Sequence, residues 1–305
     1  MTGPDDSEGN GPLLGFGAAA PWGERWFSED KAERLIRTAL ANGITHFDTA
    51  GFYCGGEAEP RLGRILSRAV AEGVTTWDSL TVSTKVGKQI AEAGGLVRDF
   101  RPPSIEASVE AATRTFGGKP LDIVYLHGPN KHELLSSLPV LKRHKDRGRI
   151  MAIGVCTDTT QLMHVACHPD IDVIMARYNL LNTQNGLGFQ EAKAAGKQLV
   201  AIAPLAQALW RSDLLFPRAP SHFWYLARAL KNSPRETLAA QRARWLHRVE
   251  GWSPAALALA FQRVSGLADV VMTTSTKDAH IMEAAEAMKR LIEPSVEERL
   301  SGLLR

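Results

Sequence analysis

From Leu13 onward, short apolar runs alternate with longer amphipathic ones, the pattern of strands each followed by a helix. "LLGFGAA" (13–19) predicts a first strand, and Ser28 is placed to cap a helix over 29–41. "ITHFDTA" predicts the second strand, and 57–72 the next helix. "LTVSTKVG" (80–87) is the third strand; Pro102 and Pro103 introduce its helix and Gly117-Gly118 ends it. "LDIVYLHG" (121–128) predicts a fourth strand, with a helix over 131–147. "IMAIGVC" precedes a short helix near 159–166, "DVIMARYNLL" one near 187–195, and "QLVAIAPLA" a long helical region interrupted around 215–221. "ADVVMTTS" is the last strand, followed by a helix over 277–291 and another after Pro294.

Strands alternating with helices imply a parallel sheet made of right-handed crossovers. About eight such units in a chain of 305 residues match the size of a closed (β/α)8 TIM barrel, expected as one domain over 12–305. The competing doubly wound sheet normally carries G-x-G-x-x-G after its first strand, and "GFGAAAPWG" lacks it. Residues 1–11 are polar, acidic and glycine-rich, and are expected to be a disordered leader.

Composition narrows the function without naming it. The net charge of +3 is nearly balanced and no dense basic tract occurs, so nucleic acid is not expected as a partner. The most basic region, 218–248, reads as a solvated helical face. No apolar run reaches the roughly 18 residues of a membrane span, and no signal-peptide layout opens the chain. Cys54, Cys156 and Cys167 show no metal-ligand spacing, so no metal is expected and free thiols in a cytoplasmic protein are.

Candidate chemistry lies at strand ends. In a (β/α)8 barrel these ends converge on one mouth, where active sites sit. Asp48 ends the second strand with Tyr53 on the loop beyond it, Lys85 ends the third, and His127 ends the fourth. Each alone fits a structural role: a turn cap, an apolar wall, a snorkelling amine, a satisfied imidazole. Together they fit acid–base chemistry. A buried lysine needs a carboxylate, and Asp48 is the candidate partner. An ammonium beside a phenol lowers the phenol's pKa, and an imidazole there can bond a carbonyl oxygen.

The words "FDTAGFYCGGEAEPRLGRIL", "TVSTKVG" and "DIVYLHGPN" resemble the aldo-keto reductase family, from about residue 13 to the C-terminus. "RLGRIL", "STKVGK" and "ARYNLL" are similar to its bacterial sugar 1-dehydrogenase branch, which holds D-threo-aldose, fucose and pyridoxal dehydrogenases. The resemblance implies that Tyr53 is the general acid or base, Lys85 tunes it, Asp48 holds Lys85, and His127 orients the substrate oxygen. It implies hydride transfer with NADP or NAD, NADP being slightly favoured, on a small carbonyl or sugar-like molecule. On the cofactor side it implies Ala18, Asp158, Leu205, Thr274, Ser275, Thr276, His280 and Glu283. Trp22 and Trp26 are expected to wall the substrate pocket.

The cofactor half departs from the family pattern. Where members carry Ser-Asn after the fifth strand, this chain has Cys156, Thr157 and Asp158; Met175 or Ala176 stands near a usual Gln, and Ile202 replaces a stacking aromatic. His280 stands for an Arg and Ala284 for an Asn. These losses motivate an alternative function, a cofactor-independent dehydratase, isomerase or cyclase on the same fold. Cys54, where the family often has Gly, reads as a wall residue or a redox-sensitive thiol.

Overall fold

The computed structural model describes residues 11–304, apart from 92, 158–161, 163, 164, 212, 213, 215–217, 219 and 233. The expected leader (1–11) thus falls almost wholly outside the described residues, as does most of the short helix expected near 159–166.

The barrel strands are β1 (Leu13–Gly17), β2 (His46–Asp48) and β3 (Thr81–Val86), then β6 (Leu121–His127), β7 (Ile150–Thr157), β8 (Val173–Arg177), β9 (Gln198–Ile202) and β10 (Val270–Thr273). All pair in parallel in the closed order β1-β10-β9-β8-β7-β6-β3-β2. An antiparallel hairpin absent from the sequence reading, β4 (Lys88–Ile90) with β5 (Leu96–Arg98), follows β3. Its two three-residue strands are largely exposed and carry no buried run that periodicity would detect.

Among the described residues, α-helices run over α1 (Glu29–Ala41), α2 (Ala58–Ala71), α3 (Pro102–Thr115), α4 (Lys131–Asp146), α5 (Gly186–Ala194), α6 (Pro220–Asn232), α7 (Pro234–Arg242), α8 (Pro254–Ser265), α9 (Asp278–Lys289) and α10 (Pro294–Ser301). Local signals set their ends. Ser28 accepts from the Lys31 amide to cap α1, and Pro102 opens α3. The long helical region expected after β9 is divided: Pro234 starts α7, and Ser253 with Pro254 starts α8. A proline at the first helical position has no amide left unsatisfied there.

Two apolar layers hold the cylinder. The outer one packs strand residues such as Val82, Val124 and Ile174 against the helices. The inner one fills the barrel with Ile123, Tyr125, Val173, Met175, Val200 and Val270. Gly154 on β7 makes room for the Tyr125 ring, because a Cβ there would stand 2.3 Å from it.

Candidate active site

β6, β3 and β2 are consecutive neighbours in the barrel, and they bring His127, Lys85 and Asp48 to one mouth. Along β3 the period of two turns Val82 and Val86 toward the helices and Ser83 and Lys85 inward. Lys85 is 3% exposed and Asp48 5%. The Lys85 ammonium pairs with Asp48 Oδ2 and donates to Thr49 O at 2.8 Å. Burial pulls the Lys85 pKa down, but the charges of Asp48 and then Tyr53 outweigh it, so the amine is held charged.

Asp48 has a second support that the sequence reading missed. Ser83 Oγ donates to Asp48 Oδ1 at 2.8 Å, and His46 Nε2 lies 3.2 Å from Ser83 Oγ. The serine proton is spent on the carboxylate, so Nε2 must be the donor to Ser83. The signal was present in the strands: His46 and Ser83 are polar at inward positions of buried strands. On the other face of β3, Thr84 donates to the buried carboxyl of Glu59 on α2, whose pKa burial raises.

His46 makes a test of stability. It is 4% exposed, and burial, assisted by the Lys85 charge, lowers its pKa from 6.5 to about 4. Between those values the unfolded chain binds more protons than the folded one, so stability rises with pH across the window. The contribution, about 3 kcal/mol, is complete above the unfolded pKa and is lost as pH falls toward the folded one. Denaturant midpoints at pH 7 and pH 4 should show the loss, and His46→Asn should reduce it.

Tyr53 opens a turn, Tyr53–Gly56, in which Cys54 (φ 56°), Gly55 (φ 69°) and Gly56 (φ 89°) are all left-handed. That reversal sends the chain into α2 and leaves the phenol over the mouth. The Lys85 ammonium lies 4.9 Å from the Tyr53 ring centroid. Tyr53 meets the His127 ring edge-on at 5.9 Å, and Phe52 touches both rings at 5.0 and 5.2 Å. Phe52 also escaped the sequence reading, although "GFY" places an aromatic beside the phenol.

The expected lowering of the Tyr53 pKa is corrected by the structure. Lys85 does lower it, by charge and hydrogen bonding, but burial is the larger effect and the net direction is upward. The phenol is therefore protonated at neutral pH, as a proton donor must be. His127 is pushed down to about 3, by burial first and then by the charges of Lys85, Lys88 and Arg98. The imidazole is neutral, and its buried Nδ1 has no hydrogen-bond partner among the described residues.

Burial raises the thiols of Cys54 and Cys156 to about 11. Neither has the thiolate character that redox sensitivity needs, which leaves Cys54 as a wall residue.

Trp22 does not line the pocket: it is fully buried, its indole donates to Ala32 O at 3.2 Å, and Arg61 clamps its carbonyl at 2.7 Å. Trp26 is 73% exposed against Phe27. Trp245 and Trp252 pack under Arg299 and Arg290.

Apart from Asp158, the residues expected on the cofactor side follow β1, β9 and β10, an arc that begins beside β2. Ala18 is buried with its amide on Asp48 O at 2.7 Å. Leu205 packs on the core at its edge. Thr274 Oγ1 donates to Gly17 O at 2.8 Å, and Ser275 Oγ bonds the backbone of Lys277, shaping the loop before α9. Thr276 is half-buried beside it, and His280 is exposed on the first turns of α9. Glu283 accepts from Ser253, the cap of α8, which ties its carboxylate to the fold. Asp158 lies outside the described residues. Met175 is in the barrel interior rather than at the mouth. Asp278 opens α9 and is held by Arg34 and Thr38.

Three comparisons bear on this geometry. Residues 13–304 match the model of the aldo/keto reductase family. D-threo-aldose 1-dehydrogenase from Pseudomonas sp. is 30% identical over 241 residues, 68% of this chain and 69% of that protein. Pyridoxine 4-dehydrogenase from Escherichia coli K12 is 26% identical over 205 residues, 63% of this chain and 69% of that protein. Among solved structures, a glycerol dehydrogenase from Gluconobacter oxydans superposes with TM-score 0.77 at 20% identity, covering 95% of this chain and 90% of its own. The holo form of an aldo-keto reductase from Bacillus halodurans gives 0.74 at 18% identity, covering 96% and 92%.

Proposed function

This chain belongs to the aldo/keto reductase family, a family of oxidoreductases, and we propose that it interconverts a carbonyl or sugar lactol with an alcohol or lactone using NAD or NADP. The observation that carries this reading is the assembly of Tyr53, Lys85, Asp48 and His127 at one mouth.

A nicotinamide held there supplies or accepts the hydride. In reduction, neutral His127 bonds the substrate carbonyl and fixes its direction. Tyr53, protonated at neutral pH, passes its proton to the oxygen as negative charge develops there. Lys85 stays charged throughout and steadies the phenolate left behind, and Asp48 keeps the ammonium in place. Because burial raises the Tyr53 pKa, the donor keeps its proton well into the alkaline range. In oxidation the same phenol must first lose it.

The residues on the cofactor arc fit a dinucleotide in part. The Thr274–Lys277 loop precedes the start of α9, where anions are stabilised, although the Thr274 and Ser275 hydroxyls and the Lys277 amide are already bonded within the fold. The Arg34 guanidinium reaches that start, and Asp278 already engages it. This donor set gives the 2′-phosphate of NADP less support than the sequence suggested. We expect Asp278→Asn, which removes a negative charge and releases Arg34, to tighten NADPH binding about five-fold while changing NADH binding little. Fluorescence titration with each nucleotide measures both values. Failure of the wild-type protein to bind either nucleotide would favour cofactor-free chemistry and overturn the reading.

A further inference from the structure

The hairpin that follows β3 brings a second lysine to the mouth. Lys88 begins β4, which packs against the turn carrying Tyr53. Its ammonium stands beside Gly128, immediately after His127: a methyl group built on Gly128 would lie 3.6 Å from Nζ. Its charge reaches His127, Cys156 and Glu133. Directly across the hairpin stands Arg98. Like charges at opposed positions of an antiparallel pair are destabilising.

Arg98 answers that cost with direct bonds, whereas Lys88 has only the longer-range attraction of Glu133. Arg98 is bonded to Glu133 at 2.5 Å and to Gly128 O at 2.9 Å. Glu133 also accepts from the Asn130 amide at 2.7 Å, closing the cap of α4. Glu133 is therefore already engaged by Arg98 and the helix cap. Among the described residues, Lys88 has no hydrogen bond or ion pair with a carboxylate. A half-buried ammonium facing a second cation, beside the imidazole meant for the substrate oxygen, is the donor that an anion at this mouth would meet.

We propose that Lys88 binds an anionic oxygen group of the substrate, so that the preferred substrate is a short carbonyl compound bearing a carboxylate or a phosphate a few carbons from the reacting carbon. This rests on the proposed carbonyl chemistry at Tyr53. The anion belongs to the substrate and not to the dinucleotide, because β2 and β1 separate β3 from β10 and its loop.

The test has two readouts. Calorimetry on the full chain measures binding of two non-reacting probes, succinate and glycerol 3-phosphate, with glycerol as the neutral control. Steady-state rates compare succinic semialdehyde and glyceraldehyde 3-phosphate with glyceraldehyde. Binding of either anion over glycerol, weakened about ten-fold in Lys88→Gln and retained in Lys88→Arg, supports the proposal, and the stronger probe tells carboxylate from phosphate. The kcat/KM preference for the charged aldehyde should fall by a similar factor in Lys88→Gln. Anion binding lost in Lys88→Gln without turnover of any aldehyde would sink the carbonyl reading but not the anion site. Turnover with no preference for charged aldehydes, or a preference that survives Lys88→Gln, overturns the anion site alone.

Discussion

Tyr53→Phe is expected to lower kcat about a thousand-fold and to leave nucleotide affinity within about two-fold. The substitution removes one oxygen. The phenyl ring keeps its contacts with Phe52 and His127 and its place beneath the Lys85 ammonium, so the mouth should keep its shape. A thermal midpoint close to wild type would confirm that only the proton donor is gone. A loss of less than ten-fold would mean that another group supplies the proton.

Lys85→Met is expected to be the most destabilising change at the mouth. It leaves the Asp48 carboxylate buried with Ser83 but no cation, and breaking such a pair costs about 3–5 kcal/mol. Adding Asp48→Asn should recover part of that cost, because the second change removes the stranded charge. The double variant should then unfold at higher denaturant than Lys85→Met alone, while activity stays about a thousand-fold down in both. Additive destabilisation would mean that the two side chains do not act as a pair. The contrast separates what the ion pair does for folding from what it does for the phenol.

The barrel was legible in the sequence because its strands and helices differ in period and are punctuated by Ser28, Pro102 and Pro294, whose effects are local. The four chemical residues were legible because strand ends must meet at a barrel mouth. What escaped has a common cause. The β4–β5 pair is held by contacts to the start of α4, such as Arg98 with Glu133, rather than by an apolar period of its own. Trp22 looks like a pocket aromatic in the sequence, but Arg61, 39 residues later, clamps its loop inward. The direction of the Tyr53 pKa depended on a balance between burial and the Lys85 charge, and only coordinates give the burial.

The most direct test of the central claim follows the hydride. NADH or NADPH carrying deuterium at C4 is incubated with the full chain and glyceraldehyde, and the product alcohol is read by mass spectrometry. Deuterium should appear on the former carbonyl carbon, and the transfer rate should fall about a thousand-fold in Tyr53→Phe. Label that never leaves either nucleotide, or transfer that proceeds at the same rate in Tyr53→Phe, would contradict the account.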